Sequence, residues 1–186
     1  MIYIGIDPGS THSAWATLIG PSDVVTRECD NAEMSATLFG WGKRSHFILG
    51  IEYIDGSYGP SFGKDHCQTL FWSGRFAEAW SRGGGKEATL LTRSTVFTRV
   101  TGQRKASDAV LRQAIIDLWG GDEALKGRKC QECKGKGIIG GKVKGVACSC
   151  EEGWAVPPNA LNGQTTGTHR ISAIAVALAL RGGLQP

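Results

Sequence analysis

The sequence predicts an α/β domain, and three observations carry that prediction. The N-terminal stretch alternates, with Ile2, Ile4 and Ile6 on one strand face and Tyr3, Gly5 and Asp7 on the other. The segments 63–82, 106–119 and 169–180 instead carry apolar residues at helical spacing. The last of these sets alanines at 173, 175, 177 and 179, small enough for close packing on a sheet.

A chain of 186 residues with 41% apolar residues suits one domain with a small insert. The formal charge of +4 permits a polyanionic partner. Met1 leads straight into a strand, so no leader is expected. The longest apolar run, Ile171 to Leu180, is too short to span a bilayer. The expectation is a soluble, cytoplasmic protein. In that compartment six cysteines suggest metal ligands or free thiols before disulfides.

The first strand ends on an acid, and burying one alone is costly. Pro8-Gly9 breaks the strand beside Asp7. His12 to Ile19 reads as strand two and Asp23 to Cys29 as strand three, with a hairpin turn at Pro21-Ser22. Ala32 to Phe39 has the makings of a short helix.

His46 to Ile54 is the second informative strand. Gly50-Ile51-Glu52 repeats the pattern of Gly5-Ile6-Asp7: a glycine, a branched apolar residue, then an acid. If the two strands are neighbours, the glycines clear space on one face and the acids converge. Two ionised acids about 4 Å apart repel by about 4 kcal/mol at an effective dielectric of 20. Such a pair shares a proton or holds a divalent cation. The alternative is two unrelated strand ends.

A Gly-, Ser- and Tyr-rich loop follows, from Asp55 to Gly63, with Ser57 or Ser61 as the cap of the next helix. On the helix from Gly63 to Arg82, the stripe Leu70, Phe71, Gly74, Ala77 and Trp80 is the expected buried face, and His66 and Cys67 read as structural. Ala88 to Leu91 reads as a short strand. Thr95 to Val100 leads to Thr101-Gly102, and a helix from Ala106 to Trp119 follows, capped by Ser107 and buried through Val110, Leu111, Ala114, Ile115 and Leu118. Arg99, Arg104, Lys105 and Arg112 gather around its start, either as phosphate contacts or as a solvated surface.

The segment 126–154 holds Cys130, Cys133, Cys148 and Cys150. Two close pairs with a glycine-rich hairpin between them fit a tetrahedral, structural zinc site; reduced thiols or a redox dithiol are the alternative. Cys130 to Gly137 resembles one zinc-binding repeat of the DnaJ chaperones. Lys126, Arg128, Lys129, Lys134, Lys136, Lys142 and Lys144 outnumber Glu132, Glu151 and Glu152 here, which makes the insert a candidate contact for a nucleic-acid backbone. The final helix opens near His169, with Thr166 or Thr168 as its cap. His169, Ser172, Ala173, Val176 and Leu180 share one face.

Four stretches taken in order resemble the RuvC-like Holliday-junction resolvases of the RNase H-like fold: Ile4-Gly-Ile-Asp-Pro-Gly-Ser-Thr11, Ile48-Leu-Gly-Ile-Glu52, Val100-Thr-Gly-Gln-Arg-Lys-Ala-Ser107 and His169-Arg-Ile-Ser-Ala-Ile-Ala-Val-Ala-Leu178. The resemblance spans most of the chain outside the cysteine insert, and the small size and the insert look like phage-type members. It implies a mixed sheet flanked by helices and a homodimer that cuts four-way DNA junctions into paired symmetric nicks. It implies two Mg2+ or Mn2+ ions per site, bound through Asp7, Glu52 and His169. Ser172 falls where the family's last-helix Asp is expected, and a hydroxyl adds no charge. The resemblance further offers the 63–82 helix as a dimer face and Tyr58 and Phe62 as probes of the junction centre.

Three other readings compete. One is a nuclease of the same fold for other branched DNA. Another is a catalytically weak protein that binds branched DNA. The third is a sugar-kinase or actin-like ATPase, which needs two such domains and finds room here for only one.

Overall fold

The computed structural model describes residues 1–20, 24–55, 62–118 and 168–183, together with the short strands at 128–129, 138–139, 146–147 and 154–156. The chain forms two compact units, one of residues 1–115 with 167–186 and the other of residues 116–166.

Five strands build the sheet of the first unit: β1 (Ile2–Asp7), β2 (His12–Leu18), β3 (Val24–Asp30), β4 (Phe47–Tyr53) and β5 (Thr89–Thr92). Their spatial order is β3-β2-β1-β4-β5. The pairs β1–β2 and β2–β3 are antiparallel, whereas β1–β4 and β4–β5 are parallel. The mixed sheet is therefore as expected. Its register sets Gly5 beside Gly50 and Ile6 beside Ile51, so Asp7 and Glu52 leave neighbouring strands at the same edge. Carboxyl ends of parallel strands are where open α/β sheets place their ligands.

Two helices cover one face, α1 (Asn31–Gly42) and α2 (Lys64–Arg82). Ile4, Ile6, Leu49 and Ile51 meet Met34, Leu38, Phe76 and Trp80 there. Asp30 starts α1, its carboxylate accepting from the Ala32 and Glu33 amides at 2.9 Å. The buried stripe of α2 differs from the expected one. Ser73, Phe76 and Trp80 are buried, whereas Phe71 and Gly74 face outward. Ser73 tolerates burial because its hydroxyl donates to the Thr69 carbonyl at 2.9 Å. The N-cap of α2 is Gly63, not Ser57 or Ser61; its amide donates to His66 Nδ1 at 3.1 Å.

Thr95 to Val100 belongs to a helix that the sequence reading did not assign, α3 (Arg93–Thr101). Thr92 caps it by accepting from the Thr95 amide at 3.2 Å, and Gly102 ends it in the left-handed region at φ 73°. Local threonines and valine gave a strand-like composition, and the cap and tertiary packing overrode it. The next helix is α4 (Asp108–Leu118). Ser107 does serve at its start, accepting from the Val110 amide at 3.3 Å. Val110 is exposed, and Ile116 is buried with Leu111 and Ile115.

The last helix, α5 (Thr168–Arg181), lies on the opposite sheet face. Residues 171–179 are all buried. The two paired glycines explain how it fits. A Cβ at Gly5 would overlap the Ala173 carbonyl oxygen and the Ala177 amide nitrogen, and one at Gly50 would meet Leu180 and Val176. The glycines clear space, as expected, but α5 fills it, with its backbone over Gly5 and with the Val176 and Leu180 side chains over Gly50, and His169 at its start reaches the sheet edge.

Within the second unit, β6 (Arg128–Lys129) pairs antiparallel with β9 (Trp154–Val156), and β7 (Ile138–Ile139) with β8 (Val146–Ala147). Cys130, Cys133, Cys148, Cys150, Lys134, Lys136, Lys142 and Lys144 lie outside the described residues, as do Tyr58 and the Pro21-Ser22 turn. Among the described residues, no helix is long and apolar enough to cross a membrane.

Candidate active site

A cavity of about 450 Å³ opens at the carboxyl end of β1 and β4. Asp7, Glu52 and His169 line it together with the Pro8–His12 turn, Glu28, His66 and Arg93. Asp7, Glu52 and His169, three of the four residues that the sequence offers for the chemistry, thus come together. Ser172, one turn further along α5, is buried and is not part of the lining.

The turn after Asp7 is fixed by a small buried network. The Gly9 amide donates to Ser13 Oγ at 3.1 Å, and that hydroxyl donates to Asn31 Oδ1 at 2.6 Å. Asn31 Nδ2 in turn donates to the Gly9 carbonyl at 3.0 Å, and the Asn31 amide to the Thr11 carbonyl at 3.1 Å. Buried polar groups satisfied in this closed way stiffen the backbone. The strand end carrying Asp7 is therefore held from both sides.

Asp7 is 8% exposed. Its Oδ2 lies 2.9 Å from His169 Nδ1. Burial pushes the Asp7 carboxyl above its usual range, against the hydrogen bond and charge of His169. His169 is raised in turn, first by its hydrogen bond to Asp7 and against partial burial. Glu52 is raised to about 7, chiefly by burial and then by the charge of Asp7, with Arg93 opposing. Both acids are thus harder to ionise than a free carboxyl, mainly because burial withdraws them from water.

Arg93 is the residue that sequence reasoning missed. Its Nη1 lies 3.3 Å from Glu52 Oε1, and its Nη2 pairs with Asp108. Its place directly after β5, parallel to β4, sets it beside Glu52. The expected basic cluster sits elsewhere. Arg99 donates to the Ala179 carbonyl at 3.2 Å, near the end of α5 and about 15 Å along the helix from His169. Arg104, Lys105 and Arg112 are exposed and do not line the cavity. Phe62 stacks at 5.4 Å between ring centres on His66, which lines the cavity; Phe62 itself does not.

The donor set of Asp7, Glu52 and the His169 imidazole suits a hard divalent cation. Among the described residues, no three His, Cys, Asp or Glu side chains already converge as a metal site. Asp7 turns to His169 and Glu52 to Arg93 instead.

No family model and no curated protein matches this sequence. Solved structures do. The Thermus thermophilus RuvC structure matches with a TM-score of 0.53 and 14% identity over 96% of this chain and 92% of that one. T. thermophilus RuvC in complex with Holliday junction substrate matches with a TM-score of 0.52 and 15% identity, over 98% and 93%. The chain has a RuvC-like α/β fold.

Proposed function

We propose that this chain is a structure-selective DNA endonuclease that resolves four-way junctions by divalent-cation-dependent hydrolysis, giving paired symmetric nicks as a homodimer. One observation carries the reading: two acids, the buried Asp7 and the largely buried Glu52, stand at adjacent strand ends with His169 on Asp7, at the mouth of a cavity. The likeness to a RuvC solved with a Holliday junction supports the choice of substrate.

Asp7 and Glu52 would hold the cation, with His169 beside them. When bound, a divalent cation lowers the pKa of the attacking water and stabilises the leaving 3′ oxygen. An ionised Asp7 selects the Nδ1–H tautomer of His169 and leaves Nε2 to accept a proton from water. The Asn31-clamped turn keeps Asp7 from drifting during the reaction. The product expected has a 5′ phosphate and a 3′ hydroxyl. Two ions per site follow from the resemblance, but Asp7 and Glu52 by themselves match the charge of one, and Ser172 adds none. A structural zinc on Cys130, Cys133, Cys148 and Cys150, and phosphate contacts from the insert lysines, rest on the spacing and charge of the sequence.

The neutrality of Ser172 favours a second reading, a junction-binding protein with weak catalysis. A labelled four-way junction incubated with Mg2+ or Mn2+, against linear duplex, separates the two. Paired nicks in the junction alone support the resolvase. Binding without nicks, restored to cutting by Ser172→Asp, marks a nuclease that lacks a ligand. Binding without nicks in both supports the binding protein.

A further inference from the structure

We propose that Arg93 is the resident cation of this site: it neutralises Glu52 when no metal is present, and Asp108 retains it at the cavity edge as the second positive charge on the scissile phosphate. The proposal rests on the nuclease reading above and deepens it.

Arg93 is held on three sides. Glu52 Oε1 lies 3.3 Å from Nη1, Asp108 pairs with Nη2, and the guanidinium carbon stands 5.0 Å from the centre of the Phe97 ring. Its side chain is 37% exposed and lines the cavity. A loose surface arginine would not be fixed in this way. The guanidinium carries five N–H donors, more than these two ion pairs consume, and its planar fork suits phosphate oxygens.

Charge balance gives the arrangement its sense. Asp7 and Glu52, the acids at the two strand ends, carry two negative charges, which one divalent cation matches; Glu28 lines the cavity from an exposed position on β3, and Asp108 is taken up by Arg93. Ser172 contributes none, so a second divalent cation would find no counter-charge on α5. Arg93 supplies that positive charge from the opposite side. Asp108, at the first turn of α4, keeps the guanidinium from withdrawing once Glu52 turns to a metal. Asp108 is thus a positioning residue.

The test is Mn2+ titration calorimetry on the full-length protein, with junction cutting read in parallel. Mn2+ is chosen because thiolates take it poorly, which separates this site from the cysteines. Wild type is expected to bind one Mn2+ per chain at this site, and Asp7→Asn to lose it. Arg93→Gln removes a competing charge, so Mn2+ should bind at least about tenfold tighter while cutting at saturating Mn2+ falls about 100-fold. Arg93→Lys should bring the Kd back to within about threefold of wild type. Tightening with loss of cutting is an outcome that simple destabilisation does not give. Should Arg93→Gln fail to fold, Asp108→Asn serves: the guanidinium then leans on Glu52 alone, and Mn2+ should bind at least about threefold weaker.

An unchanged or weaker Kd in Arg93→Gln, an unchanged Kd in Asp108→Asn, or a second Asp7-dependent Mn2+ in wild type overturns the proposal. Mn2+ binding by wild type with an unresponsive Arg93→Gln refutes the role of Arg93 and spares the nuclease reading. Absence of Mn2+ binding in both removes the metal-nuclease reading and the proposal together.

Discussion

His169 Nδ1 stands 2.9 Å from Asp7 Oδ2, a contact between residues 162 positions apart that ties the start of α5 to the end of β1. The sheet edge and the last helix therefore form one site. Replacing His169 by Ala should lower junction cutting by about 100- to 10,000-fold, the usual range for a lost proton-transfer group. Junction affinity, measured by fluorescence anisotropy in chelator, should change by less than about threefold. Equal losses in binding and cutting would move His169 out of the chemistry.

Glu52 holds its proton to about pH 7 against an ordinary 4.5, first because it is buried and then because Asp7 is near. A raised carboxyl pKa means that the folded protein binds this proton more tightly than the unfolded chain does. In chelator, the resulting stability is fully present below pH 4.5 and is lost as pH rises through about 7. The contribution is at most about 3 kcal/mol. Urea unfolding between pH 4 and pH 8 should show the fall, and Glu52→Gln should flatten it. Divalent cation should stabilise increasingly over the same rise, as the carboxylate becomes ionised. An unaltered slope in Glu52→Gln would place the titrating group elsewhere.

The two paired glycines should respond differently to the same substitution. Gly5→Ala drives a methyl into the α5 backbone, which cannot shift without lifting the helix. A cost of about 3 kcal/mol or more is expected, with loss of cutting as His169 leaves Asp7. Gly50→Ala meets the Leu180 Cδ2 at 3.2 Å and the Val176 Cγ1 at 3.3 Å, side-chain atoms that can give way. Its cost should stay below about 1.5 kcal/mol. Thermal or urea unfolding of both variants decides whether α5 sits on Gly5 as described.

For the cysteine segment, protein purified without chelators should carry about one zinc per chain by elemental analysis, the stoichiometry of a four-thiolate site. Cys133→Ser should lose it. Zinc-free wild type would remove the metal from the segment and leave four free thiols.

The five strands and most helices were legible because they follow simple periods. The Gly-x-acid repeat at 5–7 and 50–52 offered Asp7 and Glu52 as partners on condition that their strands were neighbours, and the register of β1 on β4 meets that condition. Boundaries moved by one to three residues, the most at the end of α1, which runs to Gly42 and not Phe39. Arg93 was not legible. Its importance arises from the parallel pairing of β5 with β4 and from Asp108, fifteen residues on, neither of which leaves a local pattern. Asn31 was hidden for the same reason: it acts on a turn 22 residues earlier. The stripe on α2 was misplaced because Ser73 counts as polar in any periodicity yet satisfies itself on Thr69. Phe71 counts as apolar yet stands outside, under the Arg75 guanidinium.

The most direct test of the central claim is cutting of a labelled four-way junction by wild type and by Asp7→Asn, in Mn2+, with binding measured on the same samples. Wild type should give paired symmetric nicks and Asp7→Asn none, with junction affinity within about threefold between the two, since the substitution removes a charge and not a fold. Asp7→Asn that still cuts would contradict it outright, because no other acid in the described chain stands where Asp7 does, buried at the end of β1 against His169.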